Sequence, residues 1–129
     1  MTGEMILIVD DHEAIRKLLT LVLTQTGYQV RSAENGQQAI EQLLDWAPHL
    51  IILDAMMPIM DGLQFLDWRA QHDLLRIPVL ALTGMKHPGS REQLLAAGAN
   101  AVLFKPVRLP VLLPQIEQLL ATPNPTVLN

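Results

Sequence analysis

Apolar positions in this chain follow two alternating rhythms. Short continuous runs, beginning with Met5-Ile6-Leu7-Ile8-Val9, are bounded by turn residues and read as strands buried on both faces. Between them, apolar residues recur at helical spacing. Ile15, Leu18, Leu19 and Val22 mark a first helix that Gly27 stops, and residues 28–32 then form a second strand. Asn35-Gly36 opens a turn, and Ala39, Ile40, Leu43 and Leu44 mark a second helix ending before Pro48. The third strand is 49–54, its apolar stretch Leu50-Ile51-Ile52-Leu53 running straight into Asp54. Leu63, Leu66 and Trp68 belong to a third helix.

Residues 78–83 predict a fourth strand ending at Thr83, followed by a loop over 84–89 and a weaker helix over 92–97 that stops at Gly98. Ala101-Val102-Leu103-Phe104 is a fifth strand running into Lys105-Pro106. Val111, Leu112, Ile116, Leu119 and Leu120 define the last helix. Pro110 suits a first turn, whereas Pro114 removes an internal hydrogen bond, so this helix is expected to begin irregularly or to start in earnest near Pro114. Five strand–helix units of this kind predict an α/β fold, a doubly wound parallel sheet covered on both faces, with residues 1–121 as one domain and 122–129 as a tail or linker.

A length of 129 residues fits one domain with a proper core, and half the residues are hydrophobic with few aromatics, so that core is aliphatic. The net charge of -4 argues against direct nucleic-acid binding. Cysteine is absent, which excludes disulfide and thiolate chemistry and fits a reducing, cytoplasmic compartment. No basic leader precedes the first apolar run, and no apolar stretch reaches membrane-spanning length. His12, His49, His72 and His87 lack metal-ligand spacing and read as loop or surface residues.

The chemistry lies at the strand ends. The first strand ends in Asp10-Asp11, the third in Asp54, the fourth in Thr83 and the fifth in Lys105. A parallel sheet puts all its carboxyl ends on one edge, where open α/β folds bind ligands. Three carboxylates gathered there repel unless a cation sits among them, and an all-oxygen donor set selects Mg²⁺ or a similar hard ion such as Mn²⁺. Thr83 and Lys105 supply a hydroxyl and a positive charge for an anion. Together these groups make a phosphoryl-accepting site with Asp54 as nucleophile.

Asp10-Asp11, Asp54 with Met57-Pro58 and Asp61-Gly62 behind it, Thr83-Gly84 and Lys105-Pro106 stand in an order that resembles the receiver domain of two-component response regulators, over about residues 4–121. The resemblance implies a flavodoxin-like sheet of order 2-1-3-4-5 with five helices. It implies that Asp54 accepts a phosphoryl group from a phosphohistidine on a kinase or phosphotransfer protein. Asp11, Asp54 and the backbone carbonyl of Met56 would bind Mg²⁺, with Asp10 acting mostly through water. Lys105 would pair with Asp54 and then with the phosphoryl oxygens, Thr83 would draw its loop inward, and Lys105-Pro106 would be a cis peptide. The resemblance also implies that the chain is no enzyme in its own right, but assists its own phosphorylation and slow dephosphorylation. Side chains two places after the Asp and the Thr tune that loss, and Met56 and Met85 cannot orient a water, so a long-lived phosphorylated state is expected.

One position departs from the family. Val102 stands three residues before the lysine, where the family has Tyr or Phe. A β-branched valine has almost no swing, so output is expected to depend on the loop and the fourth helix. The last helix carries more apolar residues than one face needs, which points to a docking or phosphorylation-dependent dimer face over the fourth helix, fifth strand and fifth helix. Trp46 and Trp68 read as partly buried packing residues. Several functions stay open: a stand-alone switch, or a receiver cut from a longer regulator, for which Thr122-Pro123-Asn124-Pro125 would be the start of a linker. A phosphatase of the haloacid-dehalogenase type also uses Asp, Lys, Thr and Mg²⁺, but it needs a second Asp where Met56 stands. A flavodoxin-like redox protein would need a Ser/Thr- and Gly-rich phosphate loop after the first strand, and none is present.

Overall fold

The computed structural model describes residues 3–57, 59–84 and 89–121. Among these residues the elements alternate: β1 (Met5–Val9), α1 (Glu13–Thr26), β2 (Gln29–Ala33), α2 (Gly36–Leu43), β3 (Leu50–Asp54), α3 (Gly62–Gln71), β4 (Val79–Thr83), α4 (Ser90–Ala96), β5 (Ala101–Phe104) and α5 (Leu109–Ala121). The strands form one parallel sheet of order β2-β1-β3-β4-β5, as the resemblance implied.

Strand alternation divides the apolar residues between two cores. Leu7, Val9, Ile51, Leu53, Val79 and Ala81 face α3 and α4, where Phe65, Leu66 and Leu94 meet them. Ile6, Ile8, Leu50, Ile52, Leu80 and Leu82 face the opposite layer, where Leu19 and Leu23 of α1 and Leu112 and Ile116 of α5 pack. Every residue of β3 and β4 is buried, which is why their sequence shows no polar alternation. Each fully buried side chain of this size contributes roughly 1.5–3 kcal/mol.

Local chemistry sets the helix ends. Gly27 closes α1 in the left-handed conformation, and its N–H bonds the carbonyls of Leu23 and Thr24. Asn35 caps α2 by accepting from the Gln38 N–H. Asp61 and Gln64 form a reciprocal capping box at the start of α3.

The expected starts of the last helix and of three strands are corrected. Helix α5 runs unbroken from Leu109 through Pro114. The carbonyl that Pro114 cannot serve belongs to Pro110, in an exposed first turn where water can take its place. Leu63, Leu66 and Trp68 lie in α3 as expected, although its buried side chains are Phe65, Leu66 and Arg69 and Leu63 is exposed. β2, β3 and β4 each begin one residue later than the apolar pattern suggested: the Tyr28 N–H bonds the Leu23 carbonyl at the end of α1, the His49 ring accepts the Met5 N–H, and Pro78 has no N–H to give. The tail at 122–129 and the loop at 85–88, including Met85 and His87, lie outside the described residues, as does Pro58. No helix among the described residues is long and apolar enough to cross a membrane.

Candidate functional site

The parallel register delivers the strand ends to one edge. Asp54 closes β3 opposite Leu82, so Thr83 stands one place further along β4, and Thr83 in turn pairs with Phe104, just before Lys105. The Lys105 N–H donates to the Thr83 carbonyl at 2.8 Å, tying the β5 exit to the β4 exit. On the other side the Asp10 N–H donates to the Ala33 carbonyl, and Arg16 donates to the Asp10 carbonyl at 2.8 Å.

Asp54 is 1 % exposed and its two carboxylate oxygens differ. Oδ1 accepts the Met56 N–H at 3.1 Å and lies 3.1 Å from Lys105 Nζ. Oδ2 is buried without a hydrogen-bond partner among the described residues, and so are Asp10 Oδ2 and Asp11 Oδ1. Lys105 also reaches within 3.8 Å of Asp10 Oδ2, too far for a hydrogen bond. Burial raises the Asp54 carboxyl above its ordinary range; the Met56 N–H and Lys105 oppose this, and the neighbouring Asp10 adds to it.

Buried carboxylate oxygens with no donor are costly unless a cation satisfies them. Carboxylates of Asp10, Asp11 and Asp54, with the ring of His12, place one ligand atom each within 4.8 Å of one another. That donor set fits a divalent ion, and Asp10, Asp11 and Asp54 are the residues that would hold it. Met56 is brought in by its backbone, with its side chain exposed. Thr83 is buried and lines a cavity with Ala55, Met56, Met57 and Ser90. The Lys105-Pro106 bond is cis, as expected. Asp10, Asp11, Asp54, Thr83 and Lys105 therefore gather on one edge, as their strand-end positions predicted.

The family model described as the response regulator receiver domain matches residues 6–117. The chain belongs to that family. This receiver domain is 32 % identical over 106 residues to the polar-differentiation response regulator DivK of Brucella anthropi, covering 81 % of this chain and 86 % of that protein. It is 39 % identical over 108 residues to the phosphate regulon transcriptional regulatory protein PhoB of Pseudomonas aeruginosa, covering 82 % of this chain but 47 % of PhoB. The chain thus spans most of one curated relative and about half of another. Among solved structures, it is similar to the receiver domain of the sensor histidine kinase PA1611 from Pseudomonas aeruginosa PAO1 with a magnesium ion coordinated in its active-site cleft. That likeness has a TM-score of 0.83 and 30 % identity, and covers 93 % of this chain and 99 % of that one. The haloacid-dehalogenase phosphatase alternative finds no support.

Sequence reasoning missed two residues. His12 was read as an ordinary surface histidine; it is 62 % exposed, yet its Nδ1 lies 3.1 Å from Asp10 Oδ1 and 3.2 Å from Asp11 Oδ1. The signal was its place directly after the acidic pair. Arg69 is 1 % exposed, and its guanidinium donates to the carbonyls of Leu75, Ile77 and Gly98 and to Asn100 Oδ1. Burial lowers its pKa to about 10. No carboxylate is among these partners, and nothing in the sequence marks Arg69 off from a surface arginine.

Val102 is buried against the α3–α4 core, and Phe104 is exposed. In α5, Leu112 and Ile116 are buried, and Leu109, Leu113, Leu119 and Leu120 pack partly against the same core, so most of the apolar surplus is core and Val111 is left exposed. Trp46 and Trp68 are partly buried, as expected; the Trp46 ring carries the Arg31 guanidinium at 4.5 Å, and Trp68 stacks on His72.

Proposed function

We propose that Asp54 of this receiver domain is the phosphoacceptor, taking a phosphoryl group from a phosphohistidine on a partner kinase or phosphotransfer protein. An oxygen of Asp54 forms the new bond to phosphorus as the phosphorus–nitrogen bond to the donor imidazole breaks. The observation that carries this reading is the asymmetry of Asp54: Oδ1 is held by Lys105 and the Met56 N–H, while Oδ2 and the nearby Asp10 Oδ2 are buried with no hydrogen-bond partner among the described residues.

A Mg²⁺ or Mn²⁺ ion held by Asp11, Asp54 and the Met56 carbonyl, with Asp10 assisting, would neutralise charge on the transferring group. Lys105 keeps the carboxylate oriented and is placed to move onto the phosphoryl oxygens. Thr83 offers a hydroxyl from the adjacent strand end. The chain acts as a phosphoacceptor that assists its own turnover and is not a dedicated enzyme. Exposed, apolar Met56 offers no group to orient an attacking water, which supports a long-lived phosphorylated state, and loss of the group within seconds would contradict it.

The switch is proposed to work in the cytoplasm, through the loop after Thr83 and through α4. Exposed Phe104 and Val111 support a docking or dimer surface across α4, β5 and α5 that forms on phosphorylation. Whether an output domain follows depends on whether the full protein resembles DivK or PhoB in length. Incubation with acetyl phosphate and Mg²⁺, read by intact mass, tests the core of this reading. Wild type should gain one phosphoryl group and Asp54→Ala none; equal gain by both would overturn it.

A further inference from the structure

His12 lies in the ligand-atom cluster but has no role in the function proposed above, and its position is unusual for an exposed histidine. It occupies the residue just before α1, where a side chain ordinarily caps the helix, and its ring makes no capping hydrogen bond. Its backbone N–H instead donates to Asp10 Oδ1 at 2.8 Å, which turns the ring toward the acidic edge. There Nδ1 lies 3.1 Å from Asp10 Oδ1 and 3.2 Å from Asp11 Oδ1. Neighbouring ligands on an octahedral ion with bonds of about 2.1 Å stand roughly 3.0 Å apart. Each of these two N···O contacts, the first a hydrogen bond while no ion is bound, therefore also has the spacing of adjacent ligands on such an ion.

A second observation points independently to a cation. Asp10 and Asp54 are at least nine-tenths buried, and each keeps an Oδ2 with no hydrogen-bond donor among the described residues. We propose that His12 supplies a nitrogen ligand to the ion held by Asp10, Asp11 and Asp54, so that the site favours transition ions such as Mn²⁺, Co²⁺ and Ni²⁺ over Mg²⁺ more strongly than an all-oxygen site would. The chemical reason is that imidazole binds later first-row ions far better than it binds Mg²⁺, whose preferred partners are carboxylate, carbonyl and water. The inference rests on the cation-binding reading of the acidic edge and names a specificity-determining residue within it.

A protonated His12 acting as an internal counter-ion would give the opposite behaviour. It would compete with any metal, and its removal would tighten Mg²⁺ binding. Calorimetric titration of the chelator-stripped full chain with Mg²⁺, Mn²⁺ and Ni²⁺, at a pH of about 8 where free imidazole is neutral, separates the two. Wild type, His12→Ala and His12→Gln should be compared, with the visible spectrum of the Co²⁺ form as a direct report of a nitrogen ligand. The Ni²⁺-to-Mg²⁺ affinity ratio should fall about tenfold or more in both variants, with Mg²⁺ affinity nearly unchanged and the Co²⁺ spectrum altered. An unchanged ratio and spectrum, or tighter Mg²⁺ binding by the variants, would overturn the role of His12 and leave the carboxylate site standing. Failure of wild type to bind Mg²⁺ or Ni²⁺ at all would overturn the cation site itself.

Discussion

Asp54 is a residue whose surroundings oppose its own charge. Burial raises its pKa, and what opposes that is a backbone N–H and a lysine on one oxygen only. A folded-state pKa above the unfolded value means that the ionised carboxylate weakens folding when no cation is present, and that protonation relieves the strain. Without divalent ions, Asp54→Asn should therefore be more stable than wild type at neutral pH. The difference should shrink as pH falls through the raised pKa and vanish below the ordinary carboxylate value of about 3.9. Thermal melts in EDTA across that range check this, and a variant less stable than wild type at pH 7 would contradict it. The strand-end groups were legible in the sequence because each ends an apolar run, and a buried strand has no other reason to finish on an acid, a hydroxyl or an amine. His12 was not, because metal-ligand spacing was sought among histidines alone and not beside the carboxylates.

Helix α3 and the loop before it show where sequence periodicity runs out. Asp61 and Gly62 carry part of the family resemblance, and the structure gives each a local task. Asp61 caps α3, and a Cβ on Gly62 would lie 2.8 Å from the Ala55 Cα, one residue beyond Asp54. Gly62→Ala must push backbone away from backbone, at a cost of about 1–3 kcal/mol. Its urea midpoint should fall with an unchanged slope, and Mg²⁺ affinity should fall with it. That contact joins two segments of the loop and leaves no trace in the spacing of apolar residues.

Arg69 joins α3 to the turn before β4 and to the turn before β5, through neutral oxygens only among the described residues. Arg69→Leu would strand the Ile77 carbonyl in the interior and leave the part-buried Gly98 carbonyl without its donor, so a loss of about 3 kcal/mol is expected. A midpoint within error of wild type would show that water replaces the guanidinium without penalty. Helix α5 teaches the converse: Pro114 was expected to disturb the helix start, but the bond it removes lies at an exposed first turn, so packing of Leu112 and Ile116 prevails.

At the scale of the whole molecule, the alternation of strands and helices determined nearly all of the architecture. Continuous apolar strands require helices on both faces, and the two cores meet that requirement with α1 and α5 on one side and α2, α3 and α4 on the other. Strand order was carried by resemblance and is now seen in the register. The same order places β1, β3 and β4 side by side, which is what brings Asp10, Asp11, Asp54 and Thr83 together from distant parts of the chain.

The central claim is that Asp54 receives the phosphoryl group with the help of a divalent ion. Borohydride reduction of the acetyl phosphate-treated protein, followed by peptide mapping, tests it most directly, because an aspartyl phosphate is converted to homoserine at the modified position. The account predicts homoserine at position 54 alone, and none when EDTA replaces Mg²⁺. Homoserine at Asp10 or Asp11, or modification of position 54 that EDTA leaves untouched, would contradict it.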